Sequence, residues 1–167
     1  MDKKTRSILL MIMGLACVMF LLRVFFIDIM SVAGRSMEPT LMPGGPLLID
    51  KLYYGLMIPF GNHSLIQWHK PARGDIVVFF NDYDDTITVK RCLAIEGDPI
   101  KTENGQLFIN NKILPLKYYQ EIKWRAYNVV PPGYIFVSGD NLNYSVDSRE
   151  YGFISIKAVL GCAMFVQ

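Results

Sequence analysis

The chain has 167 residues, enough for one ordinary domain with a real core and too few for two of typical size. Hydrophobic residues make up 51% and charged residues only 19%, a balance that places part of the chain in or on a membrane. The formal net charge is +2, and the Lys and Arg residues are scattered among acids rather than gathered with stacking aromatics, which argues against nucleic acid as a partner.

The first element is apolar. Ser7 to Leu22 reads SILLMIMGLACVMFLL without a charge, and after Arg23 the apolar character resumes as VFFI. Sixteen helical residues span about 24 Å, short of a hydrocarbon core of about 30 Å, so the span is expected to continue through Ile27. Arg23 then snorkels toward the headgroups, with Phe25 and Phe26 at the boundary. Lys3, Lys4 and Arg6 before the run predict a cytoplasmic N-terminus by the positive-inside rule, and everything beyond about residue 28 outside. The competing reading is a cleavable secretory signal, with Ser31-Val32-Ala33 as a small-x-small site. That cut would fall just before the most informative motif, and the apolar run exceeds an ordinary signal core, which favours a retained anchor.

Beyond the anchor the chain alternates short β-rich runs with turn residues and shows no long segment of helical period. PLLIDKLYY, DIVVFF, TITVKRCLAI, QLFIN, YIFVSGD and AVLGCAMFV read as strands. Glu103-Asn104-Gly105-Gln106 predicts a type I′ hairpin turn, and Asn110-Asn111 continues it as a meander. The domain is therefore expected to be mostly β, with residues 1–28 as cytoplasmic tail and anchor and 29–167 as an extracytoplasmic catalytic domain. The stretch LLIDKLYYGLMIPF from Leu47 to Phe60 reads as a core strand plus hydrophobic loop, with a surface resting on the bilayer as the alternative.

Nothing in the pattern calls for a metal or another cofactor: Cys17, Cys92 and Cys162 lack the close spacing of zinc and redox motifs. Cys92 and Cys162 are read as separate buried residues rather than a disulfide. His63 and His69 lie among loop-like neighbours and do not suggest a histidine triad.

The chemistry lies in four segments. Gly34-Arg35-Ser36-Met37-Glu38-Pro39-Thr40-Leu41 places a serine between a glycine and a proline. Arg73-Gly74-Asp75 enters a strand, Val89-Lys90-Arg91 lies inside another, and Gly139-Asp140-Asn141 leads to Ser145-Val146-Asp147-Ser148-Arg149 and Gly152. In this order, behind an N-terminal anchor, they resemble bacterial type I signal peptidase over nearly the whole chain. The resemblance implies a Ser/Lys dyad cleaving signal peptides from exported preproteins at the bilayer, with Ser36 as nucleophile and Lys90 as general base. It further implies Ser145 hydrogen-bonded to the lysine amine, and Asp140, Asp147, Arg91 and Arg149 as a supporting ion-pair network. Independently, a lysine base must be neutral, whereas free lysine titrates at about 10.4. The apolar setting of Lys90, between Thr86-Ile87-Thr88-Val89 and Cys92-Leu93-Ala94-Ile95, suits the desolvation that lowers such a value.

Three positions depart from the family pattern. Gly34 stands where some members place a hydroxyl that helps bind the oxyanion, Ala94-Ile95-Glu96 interrupts a small-residue run, and Leu142 replaces a frequent arginine. An extended substrate is expected to pair with the backbone before Ser36 and with the strand before Lys90. Met30, Val32, Gly34, Met37, Leu41 and Val89 are the expected binding positions, with small residues preferred at the first and third places before the cut. A maturation peptidase for a dedicated substrate such as a conjugation pilin fits the same dyad. A non-catalytic anchored β-domain is the reading from another class, and a self-cleaving cytosolic repressor is contradicted by the N-terminus.

Overall fold

The computed structural model describes residues 2–57 and 64–164; His63 and positions 58–60 of the apolar stretch lie outside them. The chain begins with helix α1 (Lys3–Phe25), whose 23 residues rise about 34 Å. Its best 18-residue window has a mean hydropathy of 2.6, long and apolar enough to cross a membrane. None of its residues is buried, and large apolar side chains from Ile8 to Leu22 are exposed on every side. A helix apolar all round suits lipid rather than a one-sided protein contact. The helix ends at Phe25 rather than continuing through Ile27, because Ile27 is already paired with Asp50 in the sheet.

Among the described residues twelve strands follow: β1 (Ile27–Ser31), β2 (Pro46–Asp50), β3 (Gly55–Met57), β4 (Ser64–Gln67), β5 (Ile76–Asn81), β6 (Thr86–Ala94), β7 (Ile100–Glu103), β8 (Gln106–Ile109), β9 (Lys112–Pro115), β10 (Tyr134–Ser138), β11 (Ile154–Ser155) and β12 (Val159–Met164). Helices α2 (Tyr118–Trp124) and α3 (Ser148–Tyr151) interrupt them. The main sheet has seven strands in the order β1-β2-β12-β5-β6-β10-β11, and every pairing in it is antiparallel. The protein is mostly β, as expected.

The central strand β5 is apolar on both faces because both are covered. Val77 and Phe79 enter one core cluster, and Ile76 and Val78 enter a second on the opposite side. Such a strand reads as an unbroken apolar run rather than an alternation. The β7-β8-β9 meander turns where the sequence predicts: Asn104 and Gly105 have φ of 51° and 72°, and Glu103 pairs with Gln106. It forms a separate three-stranded sheet over a third cluster.

Some expectations are corrected. PLLIDKLYY is a strand only over Pro46–Asp50, since Asp50 Oδ1 accepts the Leu52 N–H at 2.9 Å and bends the chain away. Helix α2 is too short to be stable alone. Trp124, fully buried with its ring edge-on to Phe153 at 4.9 Å, holds it down; burying one large apolar side chain contributes roughly 1.5–3 kcal/mol.

Candidate active site

The loop after β1 carries Ser36. Gly34 adopts φ of 80°, a left-handed conformation that a Cβ would strain, and so turns the chain out of the strand. Val32, Met37 and Leu41 are buried in one cluster and fasten the loop on both sides of the serine. Lys90 sits within β6 opposite Val77 and is only 5% exposed. Its Nζ lies 2.7 Å from Ser36 Oγ, within hydrogen-bond distance. Burial holds the lysine below its ordinary value, and the nearby carboxylates of Asp147 and Asp84 act in the opposite direction. Burial favours the neutral amine, the form that can take a proton from a hydroxyl it touches.

Charged pairs frame this contact. Arg91, next to Lys90, grips Asp140 with two bonds, Nε to Oδ1 at 2.8 Å and Nη2 to Oδ2 at 2.7 Å. Asp140 in turn accepts from Thr40 Oγ1 at 2.5 Å, which ties the fourth segment to the serine loop. The Asn141 N–H donates to Ser36 O at 2.9 Å. Asp147 is fully buried and accepts from Arg149 Nε at 2.9 Å, Ser138 Oγ at 3.0 Å and Ser145 Oγ at 2.8 Å. Gly139 lets these strands of chain meet: a Cβ there would overlap Ser36 O and Ser145 Oγ.

Most of the expected site residues converge. Ser36 and Lys90 touch, Arg91 pairs with Asp140 and Arg149 with Asp147. Ser145 differs from expectation. Its hydroxyl donates to Asp147 and accepts the Gly139 N–H at 3.1 Å, and among the described residues it makes no bond to Lys90. A buried carboxylate is the stronger acceptor for that hydroxyl.

The expected binding positions also divide. Met37, at 2% exposure, lies inside the cluster, and Val32 and Leu41 are buried with it, so these three support the site from beneath; Met30 and Val89 are half-buried at its edge. Of the expected binding positions Gly34 does line the cleft beside the serine, about 210 Å³, where Asp84, Thr88 and Tyr144 join it together with Ser36 and Lys90. Asp84, Thr88 and Tyr144 carry no sequence signal of their own, because their places depend on the β5–β6 turn and on the chain beyond Asp140. Thr40 was legible only as part of the loop motif.

The other titratable candidates lie elsewhere. His69 rests against Tyr53 and does not line the cleft. All three cysteines are free, and burial pushes the Cys92 thiol up to about 12, so it is not a thiolate at neutral pH. Among the described residues no group of three or more His, Cys, Asp or Glu could hold a metal ion.

Comparison with known proteins gives a consistent result. The family model for signal peptidase, peptidase S26, matches residues 5–167. Signal peptidase I U of Bacillus subtilis (strain 168) is 34% identical over 164 residues, covering 89% of this chain and 81% of that one. Signal peptidase I of Bacillus caldolyticus is 32% identical over 161 residues, 87% of this chain and 81% of the other. Signal peptidase I of Buchnera aphidicola subsp. Baizongia pistaciae (strain Bp) is 28% identical over 223 aligned positions, 89% and 72% respectively. A serine and a buried lysine in contact, set in an antiparallel β fold behind an apolar helix, therefore occur in a chain that belongs to the signal peptidase family, peptidase S26.

Proposed function

We propose that the protein is a membrane-bound serine endopeptidase that removes N-terminal signal peptides from exported preproteins, with Ser36 as nucleophile and Lys90 as its general base. The observation that carries this reading is the 2.7 Å contact between a lysine amine lowered by burial and a serine hydroxyl at an open cleft. In the first step the neutral Lys90 amine takes the Ser36 proton while Oγ attacks the scissile carbonyl; the ammonium then protonates the departing amine and leaves an acyl-enzyme. Water, deprotonated by the same lysine, releases the acyl group. The Ser36 N–H donates to no protein acceptor among the described residues and is available to the developing oxyanion. Gly34 offers no hydroxyl to join it.

Arg91, Asp140, Asp147 and Arg149 hold the segments in register without touching substrate. Substrate lies extended along the edge of β1, which among the described residues pairs only with β2, and Met30 and Val89 at the rim of the apolar cluster receive its small side chains. Residues 1–28 form the cytoplasmic tail and anchor, and 29–167 the extracytoplasmic catalytic domain, following the cluster Lys3, Lys4 and Arg6 before the helix. The test is incubation of the detergent-solubilised protein with a model preprotein and mapping of the cut. Cleavage at the signal junction that disappears in Ser36→Ala supports the proposal; uncut preprotein, or cleavage that survives Ser36→Ala, contradicts it.

A further inference from the structure

An acyl group on Ser36 must be released by a water, and the base that activates this water is almost sealed from solvent: Lys90 is 5% exposed. Among the described residues its amine is bonded to Ser36 Oγ alone. Water therefore reaches it through the cleft that Lys90 and Ser36 help to line, whose volume of about 210 Å³ has room for more than one molecule. Room does not hold a water in place; two to four polar partners do.

The wall formed by β5 and β6 supplies them. Cross-strand partners in an antiparallel sheet share a face. The pairs Lys90 with Val77, Thr88 with Phe79 and Thr86 with Asn81 thus put Lys90, Thr88 and Asn81 on one side of the sheet, and all three line the cleft. Asn81 is 3% exposed; its Oδ1 accepts the Tyr83 N–H at 3.3 Å, and its Nδ2 has no acceptor among the described residues. The direction of the threonine hydroxyls is set by a carboxylate. Asp84 Oδ1 only accepts, so Thr86 Oγ1, 2.7 Å away, gives it its single proton. Thr88 Oγ1, 3.2 Å from Thr86 Oγ1, is then the donor of that pair, and its lone pairs are left to the cleft.

We infer that this wall seats the hydrolytic water, with Thr88 as the residue that positions it and Asn81 as its donor. The inference rests on the reading of Ser36 as nucleophile and Lys90 as base. The water points one O–H at the neutral Lys90 nitrogen and the other at Thr88 Oγ1, and accepts from Asn81 Nδ2. Its second lone pair faces the acyl carbon on Ser36. As the new C–O bond forms, the first O–H bond breaks and its proton passes to Lys90. The tetrahedral intermediate then collapses: the C–Oγ bond breaks, Ser36 Oγ takes the proton from Lys90, and the acyl group leaves as a carboxylic acid. Acylation uses Ser36 and Lys90 without this water, so loss of its seat slows the second half-reaction alone.

The test is acylation of the full detergent-solubilised chain by the p-nitrophenyl ester of N-acetyl-trialanine. The nitrophenolate burst reports acylation, and the lifetime of the Ser36 adduct, followed by rapid quench and intact mass spectrometry, reports deacylation. Thr88→Val removes the hydroxyl and keeps the branched shape. The expected result is an unchanged burst rate and an adduct about 10-fold longer-lived, the scale of one lost hydrogen bond, with Thr88→Ser within about 3-fold of the parent. Thr86→Val does not touch the cleft lining but removes the acceptor that fixes the Thr88 proton; it should lengthen the lifetime by a smaller factor, and it serves as the test if Thr88→Val does not fold. Decay at the parental rate in these valine variants overturns the inference, as does a burst slowed as much as the decay, or a Thr88→Ser adduct as long-lived as that of Thr88→Val. A parent protein without a burst that Ser36→Ala abolishes overturns the peptidase reading and this one with it. A normal parental burst with parental deacylation in Thr88→Val overturns this one alone.

Discussion

Asp147 is the residue whose loss should cost the fold most at the site. It is fully buried and receives Arg149 Nε at 2.9 Å and Nη2 at 3.0 Å, Ser138 Oγ at 3.0 Å, Ser145 Oγ at 2.8 Å and the Gly139 N–H at 3.2 Å. Asp147→Asn keeps the volume but removes the charge, leaving the guanidinium of Arg149, whose side chain is 9% exposed, without its counter-ion. Breaking one side of a buried pair typically costs about 3–5 kcal/mol, because the surviving charge stays out of water. For a protein of this size each kcal/mol lowers Tm by roughly 2–4 °C, so a fall of roughly 6–20 °C is expected. The assay is thermal unfolding in detergent followed by near-ultraviolet circular dichroism. Adding Arg149→Met, which removes the stranded charge, should recover part of the loss. A Tm within 2 °C of the parent, or a double variant worse than Asp147→Asn alone, would refute the reasoning; so small a shift is about 1 kcal/mol or less.

Gly139→Ala should fold but lose activity: its Cβ overlaps Ser36 O and Ser145 Oγ, and a displacement of about 1 Å at reacting groups can cost about 10²-fold in kcat. Preserved kcat/KM in the purified variant would show that the segments have room to spare. Asp98 is held down to about 2 from an ordinary 3.8, chiefly by Arg73, so its stabilising contribution is complete above about pH 4 and disappears as pH falls through 2. Acid titration of Arg73→Ala should therefore show a shallower loss of Tm across that window than the parent; parallel curves would contradict the assignment. In a model preprotein, replacing the alanine just before the cut with phenylalanine should slow cleavage strongly, since Met30 and Val89 leave only a shallow rim. Equal rates would remove the specificity argument.

Much of the site was legible because its segments are short and each carries its own signal. Ser36 is marked by Gly34 and Pro39, Lys90 by the apolar strand around it, and Asp147 and Arg149 by a compact acidic-basic motif. Partner choice was less visible. The Ser145 hydroxyl goes to Asp147, and which of two acceptors a hydroxyl takes is decided by distances that no residue spacing encodes. Of the binding positions, Met37 lies beneath the surface because the loop folds back so that the Leu41 N–H reaches Met37 O at 2.9 Å. Strand β1 was hidden for another reason: its IDIMS follows the apolar helix without a turn residue, and only pairing with β2 ends the helix at Phe25. Helix α2 has too few residues to show a period, and its anchor Trp124 is recognisable only by what it packs against.

The central claim, that Lys90 is a base and not a structural cation, is tested most directly by Lys90→Arg in preprotein cleavage assays across pH. Arginine keeps the charge but titrates above about 12 and offers no neutral nitrogen to Ser36. The account predicts a folded variant with cleavage reduced by at least about 10² to 10⁴, as low as Ser36→Ala, and a double variant little worse than either. The parent protein should show kcat/KM rising with pH through a midpoint below the ordinary lysine value, in keeping with the burial of Lys90. Near-parental turnover by folded Lys90→Arg would contradict the account.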